Sequence, residues 1–174
     1  MKNNTFNEMV KPLLVLVCIC LVVAALLGLT NNLTAPIIEK NTLAAAEQTR
    51  RDVLAGAEGF TEIDCDTEAL GITGAYRENS GLGYVITAAN KGYGGEVTVT
   101  VGLNAEGKIV GISADVSTET SGVGSKAGKT DYTDQFLGLG GSCDSVDTIS
   151  GATYSSTAVK KGVNAALAAF NAIV

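Results

Sequence analysis

The longest apolar stretch of the chain lies near its start, where Leu13–Leu29 contains no charged residue. A helix needs about 20 mainly apolar residues to cross a bilayer, and residues 12–33 supply that length. Lys2 and Lys11 precede the run, so the positive-inside rule predicts a cytoplasmic segment 1–11, a transmembrane helix 12–33 and an extracytoplasmic remainder. A cleaved signal peptide is the alternative. Its apolar core is usually about 7–15 residues long and ends at a small-residue cleavage site, which this run lacks.

Residues 34–56 carry helix signals at both ends. Thr34 suits a helix cap, Pro36 suits the first turn of a helix, and Gly56 suits the residue after its end. We therefore predict a linking helix over 34–56, followed by one domain over 57–174.

The clearest strand pattern lies between residues 83 and 116. Apolar and polar side chains alternate over Val97–Leu103, which predicts a strand with one buried face. Asn104–Gly107 is typical of a hairpin turn with glycine in the left-handed position, and Ile109–Ile112 predicts the returning strand. With a strand that starts at Tyr84, these segments predict an antiparallel meander of three strands.

The chain ends in a helical pattern, because apolar residues recur at helical spacing from Val159 to Val174. We predict the last helix over Ser155–Ile173. A short strand over Ala75–Arg77, a loop over 117–129 and a short helix over Tyr132–Leu137 complete the pattern. The order of elements predicts an α+β fold, with a mainly antiparallel sheet and flanking helices.

The composition limits the partners and the catalytic groups that the chain can have. Eighteen acidic and 12 basic residues give a net charge of −6, which argues against a nucleic-acid partner because phosphates select basic surfaces. The sequence has no histidine and four cysteines, which removes most metal sites and histidine-dependent catalysis. Hydroxyls, carboxylates or an organic cofactor must therefore supply any chemistry. Cys65 and Cys143 lie in the predicted extracytoplasmic part, and a disulfide between them stays an open alternative.

Hydroxyl side chains are concentrated just before the last helix, at Ser150, Thr153, Ser155 and Ser156. Such residues favour a helix N-terminus, whose unpaired N–H groups and positive dipole end suit a phosphate. An ordinary capped helix is the simpler interpretation of this local pattern.

The seven residues 147–153, DTISGAT, resemble the flavinylation motif of covalent FMN-binding domains. In that family the last threonine carries FMN through a phosphoester bond, which a dedicated flavin transferase installs from FAD. The resemblance implies that Thr153 is the attachment residue. The other residues that it implies around the cofactor in this segment are Ser150, Gly151, Ala152 and Ser156.

Two further segments resemble parts of the same family. Lys91–Gly95 resembles its glycine-tyrosine turn, and Glu119–Gly124 resembles its Glu-Thr-Pro-Gly-Leu-Gly loop. Ser121 replaces the proline and Val123 the leucine, and the histidine that often precedes the glutamate is absent. The residues that these segments imply around the flavin are Tyr93, Glu119, Thr120 and Gly122.

Over residues 10–174 the chain resembles the RnfG family, the G subunits of Rnf electron-transport complexes. That family is related to the C subunits of the sodium-translocating NADH:quinone reductase. The resemblance implies an electron-relay subunit of a ferredoxin:NAD⁺ oxidoreductase that translocates Na⁺ or H⁺ across the cell (inner) membrane. The implied partners are the other Rnf subunits with their flavin or iron–sulfur centres, the flavin transferase and the lipid bilayer. A stand-alone membrane-anchored flavoprotein reductase and a non-redox sensor or adhesion module are the alternatives.

Overall fold

Helix α1 (Asn3–Val53) forms the N-terminal part of the chain. The computed structural model describes residues 3–174, with side chains from residue 10 onward. Lys2, one of the two lysines that predict a cytoplasmic N-terminus, lies outside the described residues. Every side chain of the apolar run 13–29 is exposed. The helix is long and apolar enough to cross a membrane, and an exposed apolar surface of this length is typical of a lipid-facing span.

Helix α1 does not break at the predicted boundary near residue 34. The Thr34 hydroxyl donates to the carbonyl oxygen of Thr30 at 2.9 Å within the helix, and Pro36 lies inside it. Proline removes one helical hydrogen bond and crowds the preceding turn, but the good helix formers on both sides keep the backbone helical. The predicted helix start at Thr34 is therefore wrong. The helix ends at Val53, close to Gly56, whose φ is +89°.

The chain divides into two compact units, Met1–Ala46 and Glu47–Val174. The second unit contains a five-stranded antiparallel sheet with the strand order β1-β2-β3-β4-β5. The strands are β1 (Phe60–Glu62), β2 (Gly74–Glu78), β3 (Gly83–Lys91), β4 (Glu96–Asn104) and β5 (Ile109–Asp115), with a short helix α2 (Thr67–Leu70) between β1 and β2. The predicted three-strand meander is confirmed as β3, β4 and β5, and the predicted short strand lies within β2.

One face of the sheet is covered by the last helix of the chain, α4 (Thr153–Ile173), which packs on β3 and β4. The predicted apolar residues of β4 point into this core. The fully buried side chains at this interface include Ile86, Val97, Val99, Val101, Leu103, Val159, Val163 and Leu167. Burial of large aliphatic side chains is the main favourable term in holding α4 to the sheet.

The other face of the sheet is covered by the end of α1, where Val53 and Leu54 pack with Val85. Gly102 on β4 is paired with Gly111 on β5, and a Cβ atom on either glycine would overlap the carbonyl oxygen of Val53. The prediction that β4 has only one buried face is therefore wrong at its second half. Gly102 is buried there because the end of α1 lies against it, with the Val53 carbonyl oxygen in the space of its missing side chain.

The segment between β5 and α4 contains short helical turns. It includes a 3-10 turn over Gly124–Gly128, helix α3 (Thr130–Thr133) and a second 3-10 turn over Asp134–Phe136. The predicted short helix over 132–137 is thus split and starts two residues earlier. The whole arrangement confirms the predicted α+β class, with a mainly antiparallel sheet and flanking helices.

The two cysteines outside α1 are free thiols, so the disulfide alternative is not present in this structure. Cys143 is buried, and its thiol donates to the carbonyl oxygen of Lys160 at 3.4 Å. Burial raises the pKa of this thiol.

Candidate functional site

The start of α4 differs from a side-chain-capped helix. The helix begins at Thr153, two residues before the predicted start, and its N-cap residue is Ala152, which has no side-chain acceptor. Gly151 has a φ of +80°, a value that glycine adopts without strain. The chain turns at this residue just before the helix. The predicted hydroxyl cap is therefore wrong. The first N–H groups of a helix have no intrahelical partner, so this end suits an anion.

Ser156 belongs to the framework beneath this helix end. Its side chain is fully buried, accepts a hydrogen bond from the Ile149 N–H at 3.1 Å and donates to the Ala152 carbonyl oxygen at 2.8 Å. The hydroxyl thereby ties the residues before α4 to its first turn.

A second set of bonds holds the preceding loop on α4. The Lys160 ammonium donates to the carbonyl oxygen of Val146, and the Asn164 side-chain oxygen accepts from the Cys143 N–H at 2.9 Å. The segment that leads into residues 147–153 is therefore fixed at several points along α4.

Glu119 connects two distant parts of the chain. Its side chain is only 7% exposed, and its Oε1 accepts from the N–H groups of Tyr93 at 2.9 Å and Gly94 at 3.1 Å. Its Oε2 accepts from the Ser155 hydroxyl at 2.6 Å. Burial alone would raise the pKa of Glu119, but the hydrogen bonds from Ser155, Gly94 and Tyr93 outweigh it and hold the pKa below its ordinary value.

Glycines make room for this carboxylate. A Cβ atom on Gly92 would overlap the Glu119 carboxylate, and one on Gly124 would lie 2.7 Å from its Oε2 and 2.6 Å from the Ser155 hydroxyl oxygen. The glycines of both sequence segments thus permit close packing around one buried acid.

A cavity of about 480 Å³ opens between the β3–β4 turn, the Glu119 loop and the start of α4. Its volume lies in the usual range for small-molecule and cofactor sites. The residues that line it are Tyr93, Glu119, Thr120, Val123, Gly124, Gly151, Ala152, Thr153, Tyr154 and Ser155. The cavity therefore brings together all three sequence segments that resemble the flavoprotein family.

Two exposed tyrosines stand at this cavity. Tyr93 is 74% exposed and Tyr154 is 72% exposed, and their ring centroids lie 6.2 Å apart with a tilt of 49°. Exposed aromatic rings beside a cavity suit the flat, partly apolar ring system of a flavin. The exposed Thr153 at the same cavity, with the free helix N–H groups, suits the phosphate end of FMN.

Six of the nine predicted site residues line the cavity; the three that do not are Ser150, Gly122 and Ser156. Ser150 is exposed beside the cavity-lining Gly151, and Ser156 is buried below. Gly122 has a φ of +77°, and its N–H donates to the Ser125 hydroxyl at 2.9 Å, so it shapes the loop.

Four lining residues were absent from the predicted site: Val123, Gly124, Tyr154 and Ser155. The first two lie inside the predicted loop, and the last two directly follow the attachment motif. Tyr154 could have been predicted as a site residue because it directly follows the attachment motif. The bond between Ser155 and Glu119 spans 36 residues and has no sequence signal.

The comparison of this domain with known families places it in the class of FMN-binding domains. The sequence model of the FMN-binding domain matches residues 92–168, which include the cavity, and the model of the RnfG N-terminal region matches residues 1–53.

Curated relatives cover most of the chain. The G subunit of the Na(+)-translocating ferredoxin:NAD(+) oxidoreductase complex of Acetobacterium woodii is 32% identical, over 87% of this chain and 86% of the relative. The G subunit of the proton-translocating complex of Clostridium ljungdahlii is 25% identical, over 85% and 84%. The G subunit of the ion-translocating oxidoreductase complex of Methanosarcina acetivorans is 27% identical, over 92% and 94%. The chain belongs to the family of G subunits of ion-translocating ferredoxin:NAD⁺ oxidoreductases, the Rnf complexes.

Proposed function

We propose that this chain is an electron-relay subunit of such a complex and that it carries FMN covalently on Thr153. The observation that carries the proposal is the position of Thr153: an exposed hydroxyl on the first residue of α4, at a cavity flanked by two tyrosines. The family resemblance of residues 147–153 supports the same residue.

Attachment requires help from outside the chain. Thr153 Oγ is a weak nucleophile, and the nearby carboxylate of Glu119 is occupied by Ser155 and two backbone N–H groups. We therefore assign the step to a flavin transferase. Thr153 Oγ attacks the phosphorus on the FMN side of FAD, the phosphoanhydride bond breaks, AMP leaves, and the hydroxyl proton passes to a base of the transferase.

The residues of this chain would hold the two ends of the cofactor differently. The N-terminal N–H groups of α4 would stabilise the single negative charge of a phosphodiester on Thr153. Tyr93, Tyr154 and Val123 offer aromatic and apolar surface to the ring system. When bound, FMN supplies the electron-transfer chemistry. A ring at an open cavity stays accessible to redox centres of neighbouring subunits.

The membrane arrangement is part of the proposal. Residues 12–33 of α1 cross the bilayer, with 1–11 in the cytoplasm and the FMN-binding domain outside. The partners are the other Rnf subunits and the lipid bilayer. The coupled ion is Na⁺ or H⁺, because the relatives are named for both.

The test is a comparison of Thr153→Val with wild type, each co-expressed with the flavin transferase. We expect wild type to gain the mass of FMN less one water and to fluoresce on a denaturing gel, and Thr153→Val to do neither. Thr148→Val is the matched control, since Thr148 is an exposed threonine in the motif that does not line the cavity. Flavin that stays on Thr153→Val through denaturation contradicts the proposal.

A further inference from the structure

Glu119 is placed to hold the two walls of the cavity together. It lies in the loop after β5, yet all three hydrogen bonds of its carboxylate go to other elements. Two donors belong to the β3–β4 turn that carries Tyr93. The third, Ser155, lies in the first turn of α4, two residues after Thr153.

In the part of the chain that the structure describes, no other polar link spans these walls directly. Among those residues, no hydrogen bond joins the 92–95 turn to the first turn of α4. The two walls also meet through the loose pairing of the Tyr93 and Tyr154 rings. The Glu119 carboxylate is therefore the hydrogen-bonded bridge between the two walls, in addition to the packing of α4 on β3 and β4.

We propose that Glu119 is a positioning residue, which fixes the Tyr93 turn against the start of α4 and so sets the orientation of the flavin. This inference rests on the proposed attachment of FMN to Thr153. Glu119 acts here through Tyr93 and Ser155. Truncating it leaves the buried Ser155 hydroxyl and the part-buried N–H groups of Tyr93 and Gly94 without their acceptor, which weakens the connection between the two walls.

Substitutions of Glu119 and Ser155 can distinguish the effect of the hydrogen bonds across the cavity from the effect of the negative charge on Glu119. In Glu119→Gln the amide oxygen can still accept from Tyr93 and Gly94, while the amide nitrogen donates to the Ser155 oxygen. Glu119→Ala removes the link altogether, and Ser155→Ala removes one side of it. A positioning role predicts a large effect for Glu119→Ala, a smaller one for Ser155→Ala, and recovery in Glu119→Gln.

Glu78 offers a matched control. It is 1% exposed, and its carboxylate accepts from the Ser80 N–H and hydroxyl, the Leu82 N–H and the Glu58 N–H. It is thus a second buried, multiply bonded glutamate, but it does not line the cavity. Glu78→Ala should lower thermal stability without moving the flavin.

The experiment uses the full-length chain in detergent micelles, co-expressed with the transferase. FMN content is measured by intact mass, ring mobility by the anisotropy of flavin fluorescence, ring access by iodide quenching, and stability by the thermal midpoint. We expect Glu119→Ala to lose anisotropy and gain quenching, or to lose loading. Glu119→Gln should resemble wild type, and Glu78→Ala should change only the thermal midpoint.

Three outcomes overturn the proposal. In the first, Glu119→Ala has the same FMN loading, anisotropy and quenching as wild type. In the second, Glu119→Gln changes these three quantities as much as Glu119→Ala does. In the third, Glu78→Ala changes them as much as Glu119→Ala does. Absence of FMN from wild type is a different failure, because it contradicts the attachment itself.

Discussion

Neighbouring hydroxyl groups at the start of α4 point in different directions and make different contacts, because a helix turns by about 100° per residue. Thr153 faces the cavity, Ser155 donates to Glu119, and Ser156 points into the packed interior. One short segment therefore combines the proposed attachment residue, a hydrogen bond across the cavity and a hydrogen bond within the core.

At Ser156 we predict a loss of stability in the Ser156→Ala variant. The part-buried Ile149 N–H would lose its acceptor, which costs up to about 1–3 kcal/mol, the value for a fully buried donor. Urea unfolding of the full chain in detergent micelles measures the change. Ser150→Ala is the control, since an exposed substitution usually stays within about 0.5 kcal/mol. Equal midpoints for the two variants would show that the Ser156 hydroxyl has no such role.

At Glu78 we predict a contribution to stability that depends on pH. Hydrogen bonds, chiefly from the Ser80 hydroxyl and the Leu82 N–H, lower the pKa of this carboxyl from 4.5 to about 2. A lowered folded-state pKa means that the stabilisation is complete above the unfolded-state pKa and is lost as pH falls from about 4.5 towards 2. The free energy of unfolding of Glu78→Gln should therefore depend less on pH in this window than that of wild type. Parallel curves for the variant and wild type would contradict this.

The resemblance of local motifs predicted Thr153, Glu119 and Tyr93 as site residues, and the structure places all three at one cavity. The sequence did not identify the roles of Ser155 and Ser156, because these depend on which distant segments pack beside α4. A hydroxyl that precedes a helical pattern is predicted to cap it. Here the glycine turn at Gly151 lets the helix start at Thr153 instead.

At the scale of the elements, the sheet joins the site to the end of α1. One face of β3 and β4 supports α4, and the other face receives Val53. The paired Gly102 and Gly111 allow this approach, since the Val53 carbonyl oxygen occupies the space of their missing side chains.

We predict that Gly111→Ala displaces the last turn of α1 from the sheet. Its new Cβ atom would overlap the Val53 carbonyl oxygen, and overpacking of this kind typically costs about 1–3 kcal/mol. Hydrogen exchange should show faster exchange of the amides over residues 50–54. Val110→Ala, at an exposed neighbouring position, serves as the control. Unchanged protection in Gly111→Ala would rule out the close approach as a constraint.

Strand alternation predicted β4 and its buried valines, and the glycine turn predicted the β4–β5 hairpin. Alternation did not predict the burial of Gly102, because the residue that covers it, Val53, comes from α1 about 50 positions earlier. The three-residue strand β1 is mostly exposed and polar, so it lacked a pattern to recognise.

At the scale of the molecule, the chain combines an apolar helix with a compact domain that contains the candidate flavin site. The apolar run predicted the span, but Thr34 and Pro36 wrongly indicated a break, since a proline within a long helix does not always end it. The proposed orientation rests on Lys2 and Lys11, not on the fold.

The proposed orientation predicts which side of the membrane each end faces. A membrane-impermeant maleimide should label Ser145→Cys in intact spheroplasts and Asn4→Cys only after lysis, each in a chain whose partly exposed Cys65 is replaced by serine. Cys143 is buried and gives little background, and Ser145 is exposed. The reverse labelling pattern would place the FMN-binding domain in the cytoplasm.

The central claim concerns one atom, Thr153 Oγ. Its most direct test is peptide mass mapping of residues 147–160 from membranes of the native host. We expect a peptide that carries FMN, with fragment ions that assign the added mass to Thr153. An unmodified peptide, or FMN assigned to Ser150 or Ser155, would contradict the claim.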